Sequence, residues 1–239
     1  MDTVKISEKK NTRFIAHQGL SALEQGNTVA AFVAAGNRSY FGTETDVHVT
    51  ADGKYVVIHD SNTERVSGVN MCVEEENFDK IREIYLYDTD GQKRSDLRIP
   101  SLEEYIRVCK KYGKRAVLEL KNPMQKETIA DICRIIKEIG YFEGTIFISF
   151  EFENLVALRE LYSDAEIQFL TGGWEEELPE KLKAYNMHLD IEFSGVTKEM
   201  VDECHAAGVL MNCWTVDDPE DAKRLIDMGV DFITTNILE

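Results

Sequence analysis

Residues 101–121 read SLEEYIRVCKKYGKRAVLELK, a complete passage from helix to strand. Ser101 and Glu104 make a capping box, Leu102, Tyr105, Ile106 and Cys109 fall on one face of the helix it opens, and Gly113 terminates it. Arg115–Lys121 then runs as a short apolar strand whose far end carries two ionisable groups, Glu119 and Lys121. The same unit recurs on both sides. Candidate strands lie at Arg13–His17, Phe41–Val49, Thr145–Phe150, Glu166–Thr171, His188–Phe193, Val209–Val216 and Asp231–Thr235. Between them, Ile129, Ile132, Cys133, Ile136 and Ile139 form an apolar stripe ending before Gly140. Thr197 caps a helix that carries Met200, Val201, Cys204 and Ala207 inward to Gly208, and Asp218-Pro219 opens another that Gly229 closes. Strand then helix, repeated about eight times, predicts an α/β fold, a (β/α)₈ TIM barrel forming a single domain over residues 1–239.

Two irregularities interrupt the repeat. Thr50-Ala51-Asp52-Gly53 reads as a hairpin turn that folds Tyr55–His59 back antiparallel to the second strand, over the barrel mouth. Residues 61–100 show no clear helical period and read as an insertion after strand 2 that shapes substrate access. After Thr235 too few residues follow for a closing helix, and the N-terminal decapeptide is the segment that could cover the gap.

Composition narrows the function. A formal charge of −17 opposes binding to nucleic acid and to anionic lipid surfaces, and a small anionic substrate would need local positive charge. The five cysteines (Cys72, Cys109, Cys133, Cys204, Cys213) have no CxxC or zinc spacing and read as reduced thiols. Neither a signal-like apolar segment nor a run of about 18 apolar residues is present, so a cytoplasmic chain without integral membrane association is expected. Nothing in the sequence fixes the oligomeric state.

In a barrel of this kind the functional groups stand at the C-terminal strand ends. Those ends supply His17, then Glu44 and Asp46, then Glu119 and Lys121, while the hairpin returns His59 to the same place. Glu44 and Asp46 are two residues apart on a strand and share a face, as do Glu119 and Lys121. So many ionisable groups at one mouth are costly unless paired, and three carboxylates around a hard divalent cation resolve that cost. His48 shares the face of Glu44 and Asp46 but is expected to be solvent-exposed, further up the hairpin. His188 and His205 read as a strand-start residue and a helix C-terminal residue.

The ordered set of His17-Gln18-Gly19, Asn27-Thr28, Glu44-Thr45-Asp46-Val47, the Thr50–Gly53 hairpin and His59-Asp60 resembles the glycerophosphodiester phosphodiesterase family. Glu119-Leu120-Lys121, Ser149-Phe150, Trp214-Thr215-Val216 and Gly229–Thr235 continue the resemblance, which spans residues 13–236. It implies that Glu44, Asp46 and Glu119 bind one divalent cation, Mg²⁺ or Ca²⁺, and that His17 and His59 act as general acid and base across the phosphorus. It further implies that Lys121 holds the phosphate with Asn27 as polar support, and that a glycerophosphodiester is hydrolysed to glycerol-3-phosphate and an alcohol. Gln18, Phe150 and Trp214 complete the candidate substrate contacts. The partner expected is therefore a small-molecule phosphodiester.

Two positions depart from the family pattern. Gln18 stands where arginine is usual, and Gln25-Gly26 replaces Pro-Glu before Asn27. Glutamine offers an ordinary hydrogen bond where arginine would grip a phosphate with a bidentate charge. These departures keep two alternatives open: a phosphodiesterase for another substrate such as a lysophospholipid, and a non-catalytic barrel that binds an anionic ligand. Each group also has a plainer reading: a carboxylate or Lys121 in a structural ion pair, a histidine hydrogen-bonded at a strand end, an aromatic ring that only packs the mouth.

Overall fold

The computed structural model describes residues 2–239. In chain order the strands and α-helices are β1 (Arg13–Ala16), α1 (Val29–Gly36), β2 (Gly42–Val49), β3 (Tyr55–Val57), α2 (Glu64–Ser67), α3 (Phe78–Arg82), α4 (Leu102–Tyr112) and β4 (Arg115–Leu120). There follow α5 (Lys126–Ile139), β5 (Thr145–Ser149), α6 (Phe152–Leu161), β6 (Glu166–Thr171), α7 (Leu178–Ala184), β7 (His188–Glu192), α8 (Lys198–Ala207), β8 (Met211–Trp214), α9 (Pro219–Met228) and β9 (Phe232–Thr235). Eight strands pair in parallel in the order β1-β2-β4-β5-β6-β7-β8-β9, and β9 returns to β1, so the barrel closes. β3 lies outside this ring, antiparallel to β2 with Val47 opposite Val57. The expected TIM barrel with a hairpin after strand 2 is the observed fold.

The helix ends follow the local chemistry. Ser101 and Glu104 exchange both bonds of the capping box at the start of α4. Thr28, Thr197 and Asp218 accept backbone N–H groups at the starts of α1, α8 and α9. Alternation along each strand divides the core. Outward residues such as Ala16, Val47, Leu118 and Phe147 pack against the helices, while Ile15, Val117, Ile146, Ile148, Leu170 and Phe232 fill the barrel interior. The fully buried Tyr105 of α4 places its hydroxyl 2.6 Å from the Thr43 carbonyl and 3.1 Å from that of Val117. It thereby ties the first-quoted helix to the two strands that carry the acidic residues.

Residues 61–100 hold only short helices, and their apolar side chains (Val66, Val73, Ile81, Ile84, Leu86, Leu97) pack with Val56 and Ile58 into a small core of their own. Asp52 in the hairpin turn accepts from Phe78 N at 2.9 Å, and Arg94 reaches Glu24 at 3.1 Å, so the insertion is anchored to the loops around the mouth. In place of a closing helix, residues 4–6 hydrogen-bond with residues 237–239 through Val4 N to Ile237 O, Ile6 N to Glu239 O and Glu239 N to Val4 O. Glu239 also accepts from Thr3 and Ser39, which pins both segments beside β2.

The turn after β1 lies flat on α1. Gly19 has φ +78°, Leu20 N donates to Ala31 O at 3.0 Å, and a Cβ at Gly19 would stand 2.6 Å from the Ala31 carbonyl carbon. Both the left-handed backbone and the lack of space exclude a side chain. Gly19→Ala is expected to cost roughly 2–4 kcal/mol of stability, combining strain with overpacking. Urea unfolding of the variant checks this; a loss below about 0.5 kcal/mol, the scale of an ordinary surface substitution, would mean that α1 gives way freely.

Candidate active site

Glu44 and Asp46 project from β2 into the barrel mouth, and Glu119 projects from β4 directly beside Asp46, its partner in strand register. All three are buried, and one oxygen from each falls within a 4.8 Å cluster. Lys121 is the cation among them, with Nζ 3.0 Å from Glu119 and 3.4 Å from Asp46. One ammonium cannot neutralise three carboxylates. Burial, followed by the charges of Asp46 and Glu119, pushes the Glu44 carboxyl well above its usual range. Burial and the charge of Asp46 bring Glu119 up to about 8. Burial acts on Asp46 too, but Lys121, His59 and Asn27 outweigh it and hold this carboxyl below its ordinary value. Glu119 Oε1 has no properly directed hydrogen bond, although the Lys121 ammonium lies near it. Hard oxygen donors, surplus negative charge and an unsatisfied carboxylate oxygen together fit a divalent cation.

Both candidate histidines stand at the edge of this cluster. His17 follows β1 and directs Nδ1 to Asn236 Oδ1 at 2.8 Å. The Asn236 amide is fixed in turn, because its Nδ2 donates to Asp217 at 2.6 Å and its backbone N to the same carboxylate at 2.7 Å. Nδ1 of His17 must therefore carry the proton, which leaves Nε2 as an acceptor toward the cleft. Burial lowers the His17 pKa, with Asn236 and Asp46 acting against it. His59 follows β3 and directs Nδ1 to Asp60 Oδ1 at 2.8 Å. Arg65 grips Asp60 through two donors, at 2.6 and 3.0 Å, and this pairing holds the Asp60 carboxyl down at about 2. Both rings thus present Nε2 to one cleft of about 190 Å³, whose lining includes Glu44, Glu119 and Lys121.

Phe150 and Trp214 also line the cleft, edge to face with ring centroids 5.7 Å apart. Asn27 stands behind the cluster and does not line this cleft: Nδ2 donates to Asp46 at 2.7 Å while Oδ1 accepts from Thr45 at 2.6 Å. Gln18 contributes first through its backbone, whose N–H donates to Glu44 at 2.9 Å, and its side-chain amide lies 3.5 Å from His17 Nε2. The expectation that His48 is exposed fails. It is buried, with Nδ1 3.4 Å from Glu74 and Nε2 3.3 Å from the His59 carbonyl, because the insertion folds down over the hairpin. Asn236, Asp217, Asp60 and Arg65 were not singled out as site residues from sequence. Each is a polar residue just beyond a strand end or on the insertion, where sequence alone does not show what it faces.

Residues 17–239 match the model of the glycerophosphoryl diester phosphodiesterase family. The chain belongs to that family. Membership makes it an enzyme of the phosphoric diester hydrolase class, acting on glycerophosphodiesters. A glycerophosphodiester phosphodiesterase of Caldanaerobacter subterraneus is 30% identical over 232 residues, 94% of each chain. Among solved structures, a glycerophosphodiester phosphodiesterase from Parabacteroides distasonis superposes with TM-score 0.78 at 30% identity, over 96% of this chain and 94% of that one. A phosphodiesterase from Oleispira antarctica, solved with the product sn-glycerol-3-phosphate, gives TM-score 0.87 at 26% identity, over 94% and 92% of the two chains.

The two departures from the family pattern are neighbours in space. A Cβ built on Gly26 falls 2.9 Å from Gln18 Oε1, so the side chain of Gln18 occupies room that a larger residue at 26 would claim. The guanidinium of Arg65 lines the small cleft beside them, together with Gln18, Gly26 and His59.

Proposed function

We propose that the chain hydrolyses glycerophosphodiesters to glycerol-3-phosphate and an alcohol, with one Mg²⁺ or Ca²⁺ held by Glu44, Asp46 and Glu119. The observation that carries this reading is the pair of imidazoles, each fixed through Nδ1, that turn both Nε2 atoms into one cleft beside three carboxylates. When bound, the cation would offset charge on the phosphoryl oxygens and restore local positive charge to an acidic protein.

The chain's own residues divide the remaining work. One imidazole takes the proton of the attacking hydroxyl, from water or from the substrate, and the other gives a proton to the departing alcohol. Because Asn236 and Asp60 hold the rings by their far nitrogens, neither ring must turn between states. Lys121, on the cleft wall, can contact a phosphoryl oxygen without leaving Glu119. Asn27 keeps Asp46 in place. Apart from the exposed Tyr85, the large apolar groups of the insertion are packed in or against its own core, and Phe150 is the large exposed hydrophobic at the cleft. Short soluble diesters suit such a surface better than lysophospholipids do. A cytoplasmic setting accords with the five free thiols.

Phosphorus NMR of glycerophosphoethanolamine turnover in Mg²⁺ and, separately, in Ca²⁺ tests the reading. The expected product is glycerol-3-phosphate; phosphoethanolamine in its place would assign cleavage to the other ester bond. No phosphorus turnover in either metal would remove the hydrolytic reading.

A further inference from the structure

His59 and Lys121 both line the cleft, and each stands just beyond the reach of the barrel ladder. The last backbone bond of the hairpin arm runs from Ile58 N to Asp46 O at 3.1 Å, immediately before His59. β4 ends at Leu120, immediately before Lys121. Side chains hold what the ladder does not. The carbonyls on either side of Lys121 are both taken: Ser149 Oγ donates to Leu120 O at 2.7 Å, and Asn154 Nδ2 donates to Asn122 O at 2.9 Å. Asn154 Oδ1 also accepts from Met124 N at 2.9 Å, which fastens this loop to α6.

One residue of the insertion joins the two segments. Glu74 lies in the turn Val73–Glu75, and its Oε1 accepts from Nδ2 of Asn122, the residue after Lys121. The same oxygen lies 3.4 Å from Nδ1 of His48, whose Nε2 lies 3.3 Å from the carbonyl of His59. The His48 ring is 2% exposed and is wedged between these two acceptors. It transmits their separation whichever of them takes its proton. The turn that carries Glu74 is itself fixed. Val73 N donates to Ser61 O at 2.9 Å, Ala51 N donates to Glu76 O at 3.0 Å, and the Val73 side chain is buried in the insertion's core. Asn122, Glu74 and His48 therefore form a continuous path from the Lys121 loop to the His59 backbone, and none of the three lines the cleft.

We infer that Glu74 is a positioning residue: through Asn122 and His48 it sets the distance between Lys121 and His59, and so the fit of a phosphate between them. The inference rests on the functional reading above and adds a residue of the insertion to the apparatus of that reaction. Proton transfer demands close alignment, and a displacement of about 1 Å caused far from the chemistry can cost about 10²-fold. The Glu74 side chain is 44% exposed, so its removal opens no cavity in the core.

Glu74→Ala tests the inference beside Glu75→Ala, which removes the same charge from the next, also exposed position. On glycerophosphoethanolamine with Mg²⁺, Glu74→Ala should lower kcat by about tenfold with a smaller change in KM, while Glu75→Ala stays within about twofold of wild type. Asn122→Ala should act in the same direction, and adding it to Glu74→Ala should cost nothing further, because the link is already broken. Hydrogen exchange read by mass spectrometry, with Mg²⁺ present, follows the same link without turnover. Segments 57–63 and 119–125 should both exchange about tenfold faster in Glu74→Ala, the scale of one lost hydrogen bond. A Glu74→Ala kcat within about twofold of wild type, an equal loss in Glu75→Ala, or additive losses in the double variant overturns the inference, as does unchanged exchange in either segment. A wild-type chain that turns over no diester would refute the hydrolytic reading, and the exchange result would still decide whether Glu74 joins the two segments.

Discussion

His17→Ala and His59→Ala should each lower kcat on glycerophosphoethanolamine by about 10²–10⁴-fold, with a far smaller change in KM. The expectation follows from how the rings are held. Each is anchored through Nδ1 to a partner outside the cleft, so its free Nε2 is available for proton transfer and little else. Alanine removes that nitrogen but leaves the carboxylate cluster and Lys121 in place, so substrate should still bind. A diester with a p-nitrophenol leaving group separates the two roles, because this leaving group departs without a proton. The variant that has lost the general acid should recover most of its rate on that substrate, and the other should not. Recovery of both variants, or a rise in KM with kcat unchanged, would show that the histidines bind phosphate instead of moving protons.

Glu119→Gln should weaken Mg²⁺ binding by at least about 100-fold, since even supporting residues of metal sites are commonly worth 10–100-fold. The same variant should improve the metal-free protein. With three carboxylates against one lysine, the folded state retains a proton on Glu119, whose carboxyl is brought to about 8 from an ordinary 4.5. A raised folded-state pKa means that the unfolded chain releases this proton first, so stability is lost as pH rises from about 4.5 toward 8. Glu44 acts in the same direction. Glutamine at 119 removes one of these charges, and the fall in Tm across that window should become shallower. Asp190, also raised to about 8, would keep part of the slope. In the wild-type chain saturating Mg²⁺ should reverse the loss, by about 2.7 kcal/mol at one hundred times its Kd. An unchanged Tm with metal, at every pH, would contradict the assignment of these carboxylates to a cation.

The fold was legible because strand and helix alternate with clear caps: Ser101, Thr197 and Asp218 start helices, and Gly113, Gly208 and Gly229 end them. α1 and α7 were less distinct. α1 is apolar on nearly every side and α7 is only seven residues long, so neither displays a clean stripe. The insertion concealed its structure for a related reason: its apolar residues meet Val56 and Ile58 of the hairpin arm across a turn and do not repeat along one helix.

In the site, the strand-end pattern placed His17, Glu44, Asp46, Glu119 and Lys121 together, and the hairpin brought His59 to them. The residues that fix these groups were not visible, since the contact between His17 and Asn236 spans 219 positions and depends on β9 closing against β1. His48 was misjudged because exposure on a hairpin depends on what folds over it, here Glu74 of the insertion.

Glycerol-3-phosphate release from glycerophosphoethanolamine, measured on EDTA-stripped protein during titration with Mg²⁺ or Ca²⁺, bears most directly on the central claim. Release should be absent without metal, rise to a plateau as one ion binds per chain, and be lower by about 10²–10⁴-fold in His17→Ala at the same occupancy. Undiminished release from the stripped protein, or full release by His17→Ala, would contradict a metal-dependent reaction carried by two histidines.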